Sequence, residues 1–326
     1  MTLLNWFVET SFFCSFTTES TVRERRSIAM EKVRVDKDKL VNLLKNEPLI
    51  EHEFSLPMIA DSFWDSKGGA LYYGTGLCNS HAITIGMPFD ILAMVLVAEK
   101  LRSALGLSKV FHHIADTHAL CNLPESHAAI LQKAAEIETV MNKVVQKLGL
   151  SHFVILRSSS FDSSLEYAAF MRQVDTQNGD NRNGEYAQRE LADMLWYQVK
   201  HGVVIKLGWA ASDFSFDERW YDDKFVRYFG KSLSFVYTKA GRAFNRKTRV
   251  APYIAIAEED RIILRDGEPV EEKFNRATQH LRGDVVNGAA NYFAAICRLY
   301  ERLVHHPLDK GSVPQKVQQI IDHIFE

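Results

Sequence analysis

Val110-Phe111-His112-His113-Ile114-Ala115-Asp116-Thr117-His118-Ala119 decides how the chain is read. Residues 110–115 form a run short enough for a buried strand, and the chain turns polar immediately afterwards. An Asp and a His two residues apart at a strand end can both reach a polar ligand. The plain alternative is that Asp116 hydrogen-bonds the turn and His118 is a satisfied, half-buried histidine. His112 and His113 alternate between the faces of the strand and are given no role. On one side, residues 88–105 are periodic in the helical sense, with Pro88 suited to a first turn. On the other, residues 124–148 read as a long helix.

Further out the alternation continues. Residues 70–73 read as a strand entering a loop that holds Gly74 and Gly76. Strands follow at 153–156, 203–207 and 233–237, with helices at 163–174, 185–199 and 217–229 between them. Residues 33–44 read as a short helix, Ser66-Lys67-Gly68-Gly69 as a turn, and 177–184 as a polar loop. Residues 268–306 and 313–325 read as helices. Strand and helix alternating over 70–238 predict an α/β fold: a doubly wound parallel sheet with a small helical C-terminal region. The expected division is an N-terminal extension over 1–49, a sheet domain over 50–265 and helices over 266–326.

The chain has 326 residues, 46% hydrophobic and 25% charged, with a formal net charge of −2. Near-neutrality argues against a protein built for nonspecific grip on DNA or RNA, and no DNA partner is expected. Cys14, Cys78, Cys121 and Cys297 lie far apart without a CxxC pair, so neither a disulfide framework nor a metal site is expected, and a reducing, cytoplasmic setting fits. No apolar run reaches the roughly 18 residues of a membrane helix. The apolar Met1–Cys14 segment lacks a basic start and a small-residue cleavage site, which disfavours a signal peptide. Residues 1–29 are expected to be poorly ordered, or an extension upstream of a second start at Met30.

Two strand ends carry chemistry. Tyr72-Tyr73-Gly74-Thr75-Gly76 is followed by Thr84-Ile85-Gly86-Met87-Pro88, where glycines permit close backbone approach and a helix N-terminus suits a phosphate. A tight turn is the plain alternative. The second strand end is Asp116-Thr117-His118-Ala119. In this order and spacing the two resemble class I aminoacyl-tRNA synthetases, in particular the catalytic domain of the tyrosyl/tryptophanyl branch. Thr84-Ile85-Gly86-Met87 stands where that family has its HIGH signature, and Asp116-x-His118-Ala119 matches its Ala-Asp-x-His-Ala element. Tyr186, Glu190 and Asp193 share one helical face, as in its amino-acid-reading helix. Asp217-Glu218 falls near its Asp/Glu-Gln pair. The chain departs from the family at Thr84, Met87, Glu190 and Glu218, and has no KMSKS. A basic segment with Lys239, Arg242, Arg246, Lys247 and Arg249 stands in the corresponding place, and its plain reading is a solvated basic turn.

The resemblance covers residues 70–265 and implies a Rossmann-like, HUP-type nucleotide-binding fold. It implies amino acid and ATP as substrates, Mg²⁺ as cofactor, tRNA as an uncertain acceptor, and a homodimer formed through residues 123–180. The catalytic set it implies is Thr84, Gly86, Lys247 and Arg249. Gly74, Gly76, Ile85, Met87, Asp217 and Glu218 would bind the nucleotide. Tyr72, Tyr73, Asp116, His118, Tyr186, Glu190 and Asp193 would bind the amino acid, with Tyr186 and Glu190 on its ammonium and Asp193 on a polar side-chain group. Tyrosine is the first choice and tryptophan the second. The alternative is a catalytically altered relative that binds an amino acid or nucleotide without charging tRNA.

Overall fold

The structure is a computed structural model that describes residues 32–33, 36–50, 52–56, 59, 66–67, 69–76, 87–120, 124–173, 184–209, 234–238 and 283–325. Its centre is a sheet of five parallel strands: β1 (Ala70–Gly76), β2 (Lys109–Ala115), β3 (Phe153–Arg157), β4 (Val203–Trp209) and β5 (Ser234–Thr238). Their order is β3-β2-β1-β4-β5. This is a doubly wound α/β arrangement whose order reverses between β1 and β4, and ligands of such sheets bind beyond the carboxyl ends of the strands at that reversal.

Besides single turns at His52–Ser55 and Ser158–Ser160, the described helices are α1 (Lys37–Lys45), α2 (Met87–Leu105), α3 (Asp116–Ala119), α4 (His127–Lys147), α5 (Leu165–Gln173), α6 (Gly184–His201), α7 (Gly283–Val304) and α8 (Val313–Phe325). Local chemistry sets their ends. Asp36 accepts from the backbone N–H groups of Asp38 and Lys39, so the first helix starts at Lys37 and not at Val33. Ser126 caps α4 through the N–H of Ala129, and Ile130, Ala134, Ile137, Met141 and Val144 then form its buried stripe. Gly106 and Gly149 end α2 and α4 at φ +70° and +67°, a conformation that costs a side-chain-bearing residue strain.

Two expectations change. Gly74-Thr75-Gly76 continues β1 to the length of its neighbour, because Gly74, Thr75 and Gly76 pair in register with His113, Ile114 and Ala115. Ser66-Lys67 is no turn but pairs antiparallel with Lys32-Val33. The expected helix at 217–229 and most of the loop at 177–184 lie outside the described residues, as do 268–282.

Right-handed crossovers place α2 and α4 on one face of the sheet and α6 on the other. α7 packs on α2, and α8 packs on α4 and α7. The C-terminal helices bury Ile296, Leu299 and Tyr300 against Val317, Ile320 and Ile324. Cys297 sits in this layer at 3% exposure, and burial pushes its thiol up to about 11. A thiol so protonated and enclosed is a poor nucleophile. Cys297 should therefore resist iodoacetamide at pH 8 in native protein and react in urea. Peptide mapping that found it alkylated at the rate of a free thiol in native protein would refute this packing.

Parity places the rest. In parallel strands, partnered residues point to the same face. Tyr72 and Gly74 therefore share the α6 face with Phe111 and His113, while Tyr73 and Thr75 share the opposite face with His112. On β4 the count is altered by a register shift: Ala70 partners Val203, but Leu71 partners Ile205. Val204 is supernumerary, and Lys206 lands opposite Tyr72.

Candidate functional site

At the carboxyl end of β2, on the α6 face, a buried polar cluster forms around Asp193. Three segments build it: β2 supplies His113, the single turn α3 supplies His118, and α6 supplies Asp193 and, one turn later, Tyr197. Asp193 is fully buried, with His113 at 1% and His118 at 2% exposure. Asp193 Oδ2 lies 2.7 Å from His113 Nε2 and 2.7 Å from His118 Nε2. Its Oδ1 accepts a hydrogen bond from the Tyr167 hydroxyl at 2.6 Å. Behind His113, the Tyr197 hydroxyl lies 3.0 Å from Nδ1, and Ser158 Oγ lies 3.1 Å from Nε2.

Aromatic rings wall the cluster. Tyr72 and Tyr197 have centroids 4.6 Å apart, and His113 meets Tyr197 edge-on at 5.4 Å. Phe161 stacks on Trp196 at 4.1 Å and meets Tyr197 and Tyr167 edge to face. Gly74 lets the Tyr72 hydroxyl approach, since a Cβ there would stand 3.3 Å from that oxygen.

Burial alone would raise the Asp193 carboxyl. The neighbouring charges of His118 and His113 outweigh it and hold the group well below the usual carboxylate range. Burial, then the Asp193 charge, push the Tyr167 and Tyr197 hydroxyls far above the ordinary phenol range, so both stay protonated. The site thus presents a buried carboxylate, two imidazoles and two phenol O–H groups. That set can orient a polar group or hold a cation.

Comparison with known proteins matches this architecture. No family model and no curated protein matches the sequence. Among solved structures, the tyrosyl-tRNA synthetase from Archaeoglobus fulgidus complexed with L-tyrosine superimposes with a TM-score of 0.53 at 16% identity, over 89% of this chain and 98% of that one. A tryptophanyl-tRNA synthetase from Encephalitozoon cuniculi bound to tryptophan gives 0.52 at 12% identity, over 90% and 91%. The chain has the tyrosyl/tryptophanyl-tRNA synthetase fold.

On this synthetase fold the expected residues separate. His118 and Asp193, 75 positions apart in sequence, meet at 2.7 Å, with Tyr72 beside them across the Tyr197 and His113 rings. Tyr73 does not join them. It faces the other layer, where its hydroxyl lies 3.1 Å from His112 Nδ1, and Thr75 Oγ1 lies 3.0 Å from Nε2 of the same ring. Asp116 is also corrected. It is fully buried and holds the turn, accepting from the N–H groups of Thr117 and Ser159, both at 2.9 Å, and from the Ser159 hydroxyl.

Glu190 reaches the site's edge but is ion-paired with the nearly buried Lys206 at 3.2 Å. Gly74 and Gly76 lie within β1, not in a loop beyond it. Met87 opens α2 and Tyr186 lies in the first turn of α6. Thr84, Ile85, Gly86, Asp217, Glu218, Lys247 and Arg249 lie outside the described residues.

Sequence reasoning missed His113, Ser158, Tyr167, Tyr197 and Lys206. Three of them left a signal. His113 and Lys206 are polar residues inside apolar strands, and Tyr197 lies one turn after Asp193 on the same helical face. Ser158 and Tyr167 left none. Among the described residues, no helix is long and apolar enough to cross a membrane.

Proposed function

We propose that the chain activates an aromatic amino acid, tyrosine first and tryptophan second, as an aminoacyl-adenylate. The meeting of His118 and Asp193 beside Tyr72, next to the strand-order reversal, carries this reading. It is where the resemblance to the synthetases expects the amino-acid side chain. Asp193, ionised and desolvated, is a strong acceptor for a phenol O–H or indole N–H, and such buried pairing is what discriminates against a substrate lacking the donor. The substrate carboxylate would attack the α-phosphate of ATP and release pyrophosphate, with Mg²⁺ neutralising the phosphates. No covalent enzyme intermediate is needed, so catalysis is positioning and charge stabilisation. The nucleotide half of the reading rests on Thr84-Ile85-Gly86 before α2 and on the basic segment around Lys247 and Arg249.

The Glu190–Lys206 ion pair favours a second reading. The carboxylate expected to hold the substrate ammonium is already paired with a cation of the same chain, as suits a protein that binds an amino acid or nucleotide without charging tRNA.

One assay separates the two: ATP–pyrophosphate exchange with each of the twenty amino acids, with Mg²⁺ and without tRNA. Adenylate chemistry predicts exchange with tyrosine, or failing that tryptophan, and none in the absence of amino acid. No exchange from folded protein, together with a rise in melting temperature on adding the amino acid or ATP, would establish the binding reading instead.

A further inference from the structure

We propose that His113, His118 and Asp193 form a binding site for one divalent transition-metal cation of the zinc class. One atom from each residue, His113 Nε2, His118 Nε2 and Asp193 Oδ2, converges within 4.8 Å of the others, and all three side chains are buried. Both nitrogens stand 2.7 Å from the same oxygen. Yet Oδ2 is left without a hydrogen bond. Three ligand atoms gathered in one place suit a cation bonded at roughly 2.0–2.2 Å to each after small side-chain rotations.

The surrounding contacts fit as well. Tyr197 engages His113 Nδ1, which leaves Nε2 to face inward, and Tyr167 engages Asp193 Oδ1, which leaves Oδ2 as the single ligating oxygen. Such outer contacts are what fix the orientation of metal ligands. Two imidazoles and one carboxylate select zinc or a close analogue over magnesium or calcium, which prefer all-oxygen sets. Three protein ligands leave a fourth position open, and Ser158 Oγ lies nearby, 3.1 Å from His113 Nε2. The sequence shows no metal-ligand spacing because the ligands come from a strand, a turn and a helix that only the fold assembles.

The test uses the full chain. Protein incubated with Zn²⁺ and gel-filtered is analysed for metal content, and Co²⁺-loaded protein is examined for visible ligand-field bands. One retained ion per chain and intense Co²⁺ bands are expected. Both should be lost in His118→Gln and Asp193→Asn but kept in His306→Gln, which removes one ring of the stacked His306–His323 pair elsewhere in the molecule. Folded wild-type protein with neither retained zinc nor Co²⁺ bands overturns the proposal. So does metal kept by the first two variants and lost in the third. The wild-type measurements decide even where a variant fails to fold. The two readouts are separate: metal retention is measured without amino acid or ATP, so a negative exchange assay leaves it standing, and absence of metal leaves the exchange result standing.

Discussion

Asp193→Ala, measured in the presence of a chelator, lowers the unfolding free energy by about 3–5 kcal/mol. Its carboxylate faces three groups with little access to water. The Tyr167 hydroxyl donates to Oδ1 at 2.6 Å, and both imidazoles stand against Oδ2. Truncation takes the charged acceptor from a buried hydroxyl whose remaining partner is the more distant Arg189 carbonyl oxygen at 3.2 Å, a loss within about 1–3 kcal/mol, and strips two imidazoles of their anionic neighbour. A double-mutant cycle with Tyr167→Phe checks the cause. Alone, Tyr167→Phe should destabilise by roughly 1.5–3 kcal/mol, as the loss of a hydrogen bond to a charged group. In the Asp193→Ala background it should cost much less, since only the longer contact with the Arg189 carbonyl oxygen is left to lose. Additive effects would mean that Asp193 and Tyr167 do not depend on one another, contrary to the 2.6 Å contact.

The second large effect is in acid, on the other face of the sheet. Burial, reinforced by the neighbouring His113, lowers the His112 imidazole to about 3. An unfolded histidine titrates near 6.5. The native ring refuses a proton that the unfolded chain accepts, so this contribution is complete above about 6.5 and is lost as pH falls from there towards 3. The loss is about 1.4 kcal/mol per pH unit, hence about 2 kcal/mol by pH 5. Asp193 adds nothing in this window. Its lowered carboxyl stabilises the fold above its unfolded value near 3.9, and that contribution fades only below it. Urea unfolding between pH 7 and pH 4.5 should show the decline in wild-type protein. His112→Gln, which keeps hydrogen-bonding capacity towards Tyr73 and Thr75, should flatten it. Equal slopes in the two proteins would sink the assignment.

The fold was legible in the sequence because hydrophobic runs and helical periodicity repeat along it. Each described strand of the main sheet lies where an apolar run was read, and the ends moved by only a few residues. The exception is β1, where Gly74 and Gly76 look like a loop in isolation but are held in the strand by a neighbour that extends equally far. In the candidate site, the meeting of His118 and Asp193 was legible through motif order. Tyr73 and Asp116 were misread because a one-dimensional pattern does not say which of two adjacent tyrosines faces which layer, or whether a carboxylate faces a ligand or its own turn. Tyr167 and Ser158 were beyond reach. They arrive from a turn and a helix after β3, and nothing local marks a serine or a tyrosine as the neighbour of a distant ring.

The extra residue in β4 ties a charge balance to a count of residues. Without Val204 as a supernumerary, the position opposite Tyr72 would fall to Ile205, and the ammonium of Lys206 would point into the layer that holds Tyr73, away from Glu190. The pairing of this acid and base is thus written as a length, not as a motif. An alignment of this chain with another synthetase-fold sequence that smooths over that single residue will match every strand correctly and still assign the wrong side chain to the wall of the site.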